Sequence, residues 1–526
     1  MMNEQHQLER FSRAKSRRMN WEGTWQEIFD YVYAGREGFS SSAPGQRKDD
    51  LIFDETAVVG VQEFASRMLA GIVPNNMRWA RFEPSPRIEA ELDPTDLMRV
   101  QGQLDEVTQE VFEHIENSNF QQEAHESFLD LAVGTGSMVI NRGDDSLKTL
   151  DFASVPMHTV YLEEGPFGGI DGQYRVQTPK AEDIALLWPD AKLTKNIKDK
   201  IDGNTQSRDG ETKVKILECT HRDWSAVDTE TYLHYVMDVE EKTYIVKREY
   251  KGIGSSPWVN FRWAKASNEI YGRGPAYNAL AAIKTCNLTV QLILENAEMS
   301  IAGMWQLDDD GVINPANIRL VPGTVIPRSV NARGLEPLAS PGNFDVAQLV
   351  LQDMRHNINR ALYNETLGRR EGTPISATEV AERMAELSRQ LGAVFGRLQT
   401  EFVFPTLRRV VYLLKEQGRI ELPTLNGQEV KIRAVSPLIR AQRNEDISQH
   451  VNFVTALGQL FGPAAVQTMV NPQNFAEQMA KWYQIDASLL RSEGEQEELA
   501  QQTAQAASQM QGQGIDPVNT LRSLMP

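Results

Sequence analysis

Two long amphipathic helices, predicted on either side of a segment rich in helix breakers, constrain this fold most. Rod 1, predicted at 274–305, starts with a Gly-Pro pair, and rod 2 is predicted at 343–366. Apolar residues recur every three or four positions in both, at Ile283, Cys286, Val290, Ile293, Ala297 and Ile301, and at Val346, Leu349, Val350, Met354, Ile358, Ala361 and Leu362. A rod of about 30 residues is about 45 Å long. Because each stripe is narrow, the rods either pack as a bundle within one chain or stack against copies of themselves.

The segments that follow each rod contain strong helix breakers. Residues 306–342 are rich in Pro and Gly and contain the short strand candidates IRLV and TVI. After rod 2, the loop GRREG leads to Ser376 and Glu379, which match the capping box of a third long helix. Pro405 lies inside the apolar pattern of that helix and predicts a kink, and Gly418 predicts its end.

The rest of the chain combines helices with antiparallel strands. Apolar periodicity predicts helices at 4–33, 53–73, 93–118 and 119–133. From 136 to 263, turn residues separate short β-branched and aromatic segments: SMVINRG, LKTLDF, HTVYLEE, GQYRVQT, VKILECTHRDW, TYLHYVMDV and TYIVKREY. A further strand candidate, EVKIRAV, precedes helices at 445–461, 463–470 and 472–483 and a Gln/Ala-rich tail. The predicted fold class is therefore α+β and mostly helical.

Basic residues crowd the first predicted helix, at Arg10, Arg13, Lys15, Arg17 and Arg18. Their pattern allows two interpretations, an arm that binds an anion or a partner, or a solvated helix face.

Composition excludes several classes of function. The 526 residues carry a net charge of −18, so contact with nucleic acid has to be local. Only two cysteines occur, which argues against a disulfide framework and fits a reducing cytoplasm. The chain has no phosphate-binding loop, no HExxH motif and no zinc-type Cys/His spacing, so we predict no cofactor, no metal and no enzymatic activity.

Three other segments have competing interpretations. The GDD at 143–145 is a polymerase-like metal turn or, as its place between strands favours, a hairpin turn. The DDDG at 308–311 lacks the alternating ligands of a calcium loop, which leaves only a loose cation site. The apolar run 453–470 contains a Gly-Pro pair and two Gln, so we predict buried helices there and no membrane insertion.

The chain resembles the portal, or head-to-tail connector, proteins of short-tailed tailed bacteriophages. The resemblance rests on DETAVVGVQEFASRMLAGIVPNNMRWARF (54–82), on the order rod–insert–rod and on TPISATEVAERM (373–384), and it extends over nearly the whole chain. It implies a ring of about twelve copies around a channel for double-stranded DNA, with no catalysis of its own.

The resemblance also implies a division of the chain into regions. These are a wing (1–273), stem helix 1 (274–305), a clip (306–342), stem helix 2 (343–366), a tunnel loop (367–376), a long kinked wing helix (377–418), a connection from wing to crown (419–440), and a crown with the C-terminal tail (441–526).

Within this division, charged residues are expected at two functional places. Arg369 and Arg370 of the tunnel loop would touch passing phosphates without sequence preference, and Glu371 would keep the contacts brief. The clip would use its three arginines to line the channel exit or to bind partners: Arg319, Arg328 and Arg333.

The implied partners are other copies of the chain, the terminase motor, tail adaptor proteins, and the major capsid and scaffolding proteins. The implied location is the portal vertex of the virion, after assembly in the host cytoplasm. Two alternatives remain open at this point, another virion structural protein such as a tail adaptor or scaffold, and a multidomain soluble enzyme.

Overall fold

The computed structural model describes most of the chain up to residue 462. The described residues are 3–40, 51–75, 78–84, 93–143, 148–202, 212–226, 229–302, 305–306, 336–337, 344–364, 391–392, 394–421, 431–434 and 450–462, with 470, 475 and 479. The chain folds as a mixture of helices and antiparallel strands, as predicted.

The long helices occur in the predicted order, and two short helices, at 184–187 and 195–201, lie within the strand region. The described helices are α1 (Glu4–Val32), α2 (Thr56–Ile72), α3 (Pro94–Glu116), α4 (Phe120–Val133), α5 (Ile184–Leu187), α6 (Lys195–Ile201), α7 (Pro275–Ala302), α8 (Phe344–Ala361) and α9 (Phe404–Glu416), followed by helical residues 450–461. Helix α7 is rod 1 and α8 is rod 2. Rod 2 ends at Ala361, five residues before its predicted end.

The strands form two larger sheets and two short pairs. They are β1 (Ala80–Glu83), β2 (Thr135–Arg142), β3 (Leu150–Ser154), β4 (Val160–Glu164), β5 (Ile170–Gln177), β6 (Ile216–Arg222), β7 (Thr231–Asp238), β8 (Thr243–Lys251), β9 (Trp258–Arg262), β10 (Trp305–Gln306), β11 (Glu336–Pro337) and β12 (Lys431–Ala434). Strands β4 to β8 form an antiparallel meander, and the second sheet has the order β3-β2-β9.

Both short pairs join segments that are distant in the chain. Strand β12, which the sequence predicts, pairs with β1, so the segment after the third long helix returns to the N-terminal region. Strand β10 pairs with β11 through Trp305 opposite Pro337 and Gln306 opposite Glu336. Residues 305–306, which follow rod 1, therefore lie beside residues 336–337, which precede rod 2, and the two rods are neighbouring helices.

Helix α1 connects the two larger sheets. Its N-terminal half places Phe11 against Tyr161 and Tyr174 of the meander, at ring-centroid distances of 5.1 and 5.7 Å. Its C-terminal half places Trp25 and Ile28 in the main core, where both are fully buried.

The basic residues of α1 divide into two groups. Arg18 is buried and donates to the carbonyl oxygens of His158 and Val160 at 2.8 and 2.7 Å. Arg10 donates to Glu163. Arg13, Lys15 and Arg17 are exposed, so neither sequence-based interpretation describes the whole set.

The C-terminal part of the third long helix ends as predicted. A π-helical turn at Gln399–Val403 leads directly into α9, and Pro405 lies in the first turn of α9. Proline has no N–H to donate within a helix, and the π-helical turn lies directly before it, where the α-helical hydrogen-bond pattern changes. The predicted kink angle stays a prediction. Gly418 has φ +65°, and the bonds from Gly418 N to Lys415 O and from Arg419 N to Leu414 O end the helix.

Candidate assembly site

The start of rod 1 is fixed by a close crossing of two glycine-containing backbones. Gly272 N donates to Thr135 Oγ1, and Gly274 N donates to Val133 O. A Cβ on Gly272 would lie 2.2 Å from Gly134 O, and a Cβ on Gly274 would lie 2.1 Å from Ala132 O. The YGRGP segment therefore does more than start a helix, because its glycines allow rod 1 to contact the junction of α4 and β2.

Asn287 anchors the middle of rod 1 to the segment before α2. Its Oδ1 accepts hydrogen bonds from the backbone N–H groups of Phe53 and Asp54 at 2.7 and 3.1 Å. Its Nδ2 donates to Leu51 O at 2.6 Å. One buried amide thus satisfies three backbone groups of the segment before α2.

Asp54 links this segment to rod 2. Its Oδ1 accepts a hydrogen bond from the N–H of Thr56, the first residue of α2, at 3.0 Å. Its Oδ2 accepts from Nε and Nη2 of Arg355 at 2.9 and 2.7 Å. Burial alone would raise the pKa of Asp54, but the hydrogen bonds from Thr56 and Arg355 outweigh it and hold that pKa below its usual range.

Rod 2 ends in a cap that is bonded to α2. Tyr363 has φ +58°, Tyr363 N donates to Arg360 O and Asn364 N donates to Asn359 O, which is the Schellman arrangement. The side chain of Asn364 donates to Gly60 O at 2.6 Å. Arg67 of α2 donates to Tyr363 O at 3.0 Å. These bonds hold a tyrosine in the left-handed conformation that normally favours glycine.

The predicted apolar stripes are buried where the rods contact the rest of the subunit, and the apolar side chains that are exposed on rod 1 lie outside its predicted stripe. Ile283 and Cys286 of rod 1 and Ile358 and Leu362 of rod 2 belong to the main core. Farther along both rods, large apolar side chains are exposed by 39–63%: Leu288, Leu292, Leu294, Leu349 and Val350. The two rods pack against each other, yet their distal flanks stay uncovered within the subunit.

The charged residues predicted for function lie outside the described residues. This holds for the tunnel-loop residues Arg369, Arg370 and Glu371, for the clip residues Arg319, Arg328 and Arg333, and for the capping pair Ser376 and Glu379. The structure instead reveals the anchoring residues Asp54, Asn287 and Arg355, which the sequence does not connect. The sequence contains one indication of this role for Asn287, since it is a polar residue directly after Cys286 of the rod 1 stripe.

The structure also describes both cysteines and the strands on either side of the GDD segment. Cys219 and Cys286 are free and buried. No group of three His, Cys, Asp or Glu side chains is placed to hold a metal ion within the described ranges. Strands β2 and β3 pair antiparallel on either side of 143–149, which is the arrangement expected of a hairpin. Among the described helices, none has the length and apolar character needed to cross a bilayer.

The main feature of the described site is an anchored helical pair that exposes large apolar side chains on both rods. The chain belongs to the family of bacteriophage head to tail connecting proteins, whose model matches residues 4–490. It is a member of the portal and head-to-tail connector proteins, which are structural components of virions.

Named relatives agree with this family. The chain is 24% identical to the probable portal protein of Bordetella phage BPP-1, over 98% of this chain and 95% of the relative. It is 22% identical to the portal protein of Escherichia phage T7, over 85% of this chain and 81% of the relative. None of these names denotes an enzyme.

Solved structures with weaker similarity come from gene transfer agent particles. A chain from the virion of a native particle gives a TM-score of 0.34 at 11% identity, with 81% of this chain and 88% of that chain covered. A chain from the neck of an empty particle gives 0.33 at 12% identity, with 81% and 90% covered.

Proposed function

We propose that copies of this chain stand side by side in a ring at one capsid vertex and enclose the channel through which double-stranded DNA enters and leaves the head. One observation supports the proposal: each rod is anchored to the rest of the subunit over one part of its length and exposes apolar side chains farther along. When neighbouring copies cover these apolar side chains, the side chains leave water and the free energy of the assembly falls. The ring has about twelve copies, which for a chain of 59.2 kDa gives a particle of about 0.7 MDa.

The positions of the exposed residues favour a ring over an isolated pair. Leu288 and Leu292 belong to rod 1, whereas Leu349 and Val350 belong to rod 2. When rod 1 of one copy packs against rod 2 of the next, the two contacting surfaces differ. A contact between different surfaces repeats around an axis and closes into a ring if the rotation fits.

The regions implied by the resemblance complete the proposal. The 306–342 insert forms the clip, which docks the terminase motor during packaging and tail adaptors afterwards. Residues 441–526 form the crown, and the capsid and scaffolding proteins contact the outer surface of the ring. Residues 367–376 form the tunnel loop in the channel, where Arg369 and Arg370 touch the DNA backbone.

Electron microscopy and mass photometry of the purified protein test the ring. We expect annular particles with a central opening, and replacement of both Leu288 and Leu292 by Ser should shift the protein toward single subunits. The matched control replaces Leu186 and Leu187, which are 80% and 53% exposed on α5, and should leave rings intact. Assemblies without an axial opening would instead favour a tail adaptor or scaffold.

The DNA contact needs a separate test. Changing Arg369 and Arg370 to Ala should leave rings intact and alter the amount of DNA packaged or retained per particle. Wild-type packaging by this double variant would remove the tunnel-loop contact from the proposal while the ring itself stands.

A further inference from the structure

A groove lies between α1 and the segment that leads into rod 1. Its volume is about 620 Å³, and its walls include Arg17, Asn20 and Trp21 from α1 and Arg273 and Tyr277 from the start of rod 1. It borders the glycine crossing that fixes rod 1, so its geometry is set by the anchored part of the subunit.

One wall of the groove is a prearranged set of aromatic rings around an arginine. The guanidinium of Arg273 lies 5.4 Å from the ring centroids of both Trp21 and Tyr277. Arg273 Nε donates to Glu269 Oε2 at 3.1 Å, which fixes its orientation and offsets its charge. Trp, Tyr and Arg side chains held in place in this way are the residues that most often dominate protein–protein binding energy.

Arg17 contributes the uncompensated charge. It is exposed, and among the described residues no carboxylate forms an ion pair with it. Both carboxylates that line the groove have other partners, since Glu164 pairs with Lys265 and Glu269 with Arg273. The groove therefore offers a positive group that a carboxylate from outside the subunit can neutralise.

Tyr277 of the groove and the exposed residues Leu288 and Leu292 lie on the same side of rod 1. At 100° per residue, the three positions fall within about 60° of one another around the helix. The groove and these leucines therefore face the same direction.

We infer that this groove receives a carboxylate-bearing segment of a second copy of the chain, and that Arg17 is the residue that pairs with it. The inference rests on the proposed ring and names a contact within it. Two observations point to a second copy. The groove lies on the same side of rod 1 as Leu288 and Leu292, which the proposed ring covers, and the chain carries 72 acidic against 54 basic residues, so the surface of a facing copy is rich in carboxylates.

Charge reversal of Arg17 tests the contact. Arg17→Glu should raise the protein concentration needed for half-maximal assembly about tenfold at 0.1 M salt, and by less at 1 M salt, where the Debye length falls to about 3 Å. Lys15→Glu is the matched control, because Lys15 is exposed on the same helix but points about 160° away from Arg17. Both positions are exposed, so thermal unfolding of the unassembled subunit should be unchanged in both variants.

Cross-linking identifies the occupant. A photoreactive amino acid at the exposed position 20, followed by mass spectrometry, should give a cross-link between two copies only in assembled protein. If rings form but Arg17→Glu assembles like Lys15→Glu, or position 20 cross-links only within its own subunit, the inference is wrong and the ring stands. If the wild-type chain forms no ring, the proposed function fails and the groove contact fails with it.

Discussion

Arg355 of rod 2 donates two hydrogen bonds, of 2.9 and 2.7 Å, to a single carboxylate oxygen of Asp54, which lies 301 residues earlier in the chain. The Asp54 side chain is only 4% exposed, whereas that of Arg355 is 46% exposed. Since Asp54 also accepts the first N–H of α2, this pair couples the entrance of α2 to rod 2.

The first prediction concerns this pair. Arg355→Met keeps the aliphatic part of the side chain but leaves the Asp54 carboxylate without its charged partner, so the free energy of unfolding should fall by about 1–2 kcal/mol. Urea unfolding measures the loss, and hydrogen exchange of rod 2 should become faster. Arg360→Met, at an exposed position on the same rod, is the control and should change the stability by less than half as much; equal losses would argue against the coupling.

A second prediction concerns Gly60, where α2 meets the end of rod 2. A Cβ at this position would lie 2.7 Å from Leu362 Cδ1 and 3.2 Å from Asn364 Nδ2. Gly60→Ala should therefore displace the cap of rod 2 and lower the unfolding free energy by about 1–3 kcal/mol. Gly102→Ala, at a helical glycine with no atom near the added Cβ, should raise it by about 0.5–1 kcal/mol. If Gly60→Ala also raised the unfolding free energy, the close packing at Gly60 would not limit the size of the side chain there.

The third prediction is a dependence of stability on pH that arises in the meander. Burial lowers the pKa of His221 and of His234 to about 3. A histidine in the unfolded chain binds a proton as the pH falls below about 6.5, whereas these two stay neutral in the folded chain down to about pH 3. The unfolding free energy should therefore be highest above pH 6.5 and fall between pH 6.5 and 3, by about 1.4 kcal/mol per pH unit for each residue. His234→Gln should reduce the slope of unfolding free energy between pH 6 and 4, whereas His356→Gln on the exposed face of rod 2 should not.

Asp130 acts in the opposite direction and has to be separated from this effect. Burial raises its pKa to about 6, so its contribution to stability falls as pH rises through that value. Asp130 is present in the wild type and in both histidine variants. The difference between the slope of each variant and the wild-type slope therefore excludes its contribution. A slope that His234→Gln leaves unchanged would contradict the histidine assignment.

The fourth prediction isolates backbone conformation at the end of α9. Gly418 has φ +65°, and no atom lies within 4 Å of an added Cβ. Gly418→Ala should therefore lower the unfolding free energy by about 1 kcal/mol through the left-handed conformation alone. Gly396→Ala, within the helix and also in open space, should not be destabilising. A neutral Gly418→Ala would show that the helix end shifts to accommodate the side chain.

Local sequence signals were sufficient for the long helices and for most strands of the two larger sheets. The apolar periodicity of α1 and of both rods predicted helices within a few residues of their bounds, because helix formation depends on neighbouring residues and on one buried face. The family also followed from sequence, and the family model confirms it. Strand β9 was missed: Trp258 and Val259, on opposite faces of the strand, are both buried, so WVNFR shows little alternation.

The two helix ends at Gly418 and Tyr363 separate what the sequence determined from what the tertiary structure decided. Both form the same Schellman hydrogen bonds with positive φ, yet only Gly418 was predicted, because glycine adopts that conformation without help and so marks it locally. Tyr363 adopts it because Asn364 bonds to Gly60 and Arg67 bonds to Tyr363 O, contacts that span about 300 residues. Short-range preferences in the sequence determined the rods and most of the sheet strands, and sequence similarity determined the family. Tertiary structure decided where rod 2 ends and how both rods are anchored, because the free energy of those features comes from groups that only folding brings together.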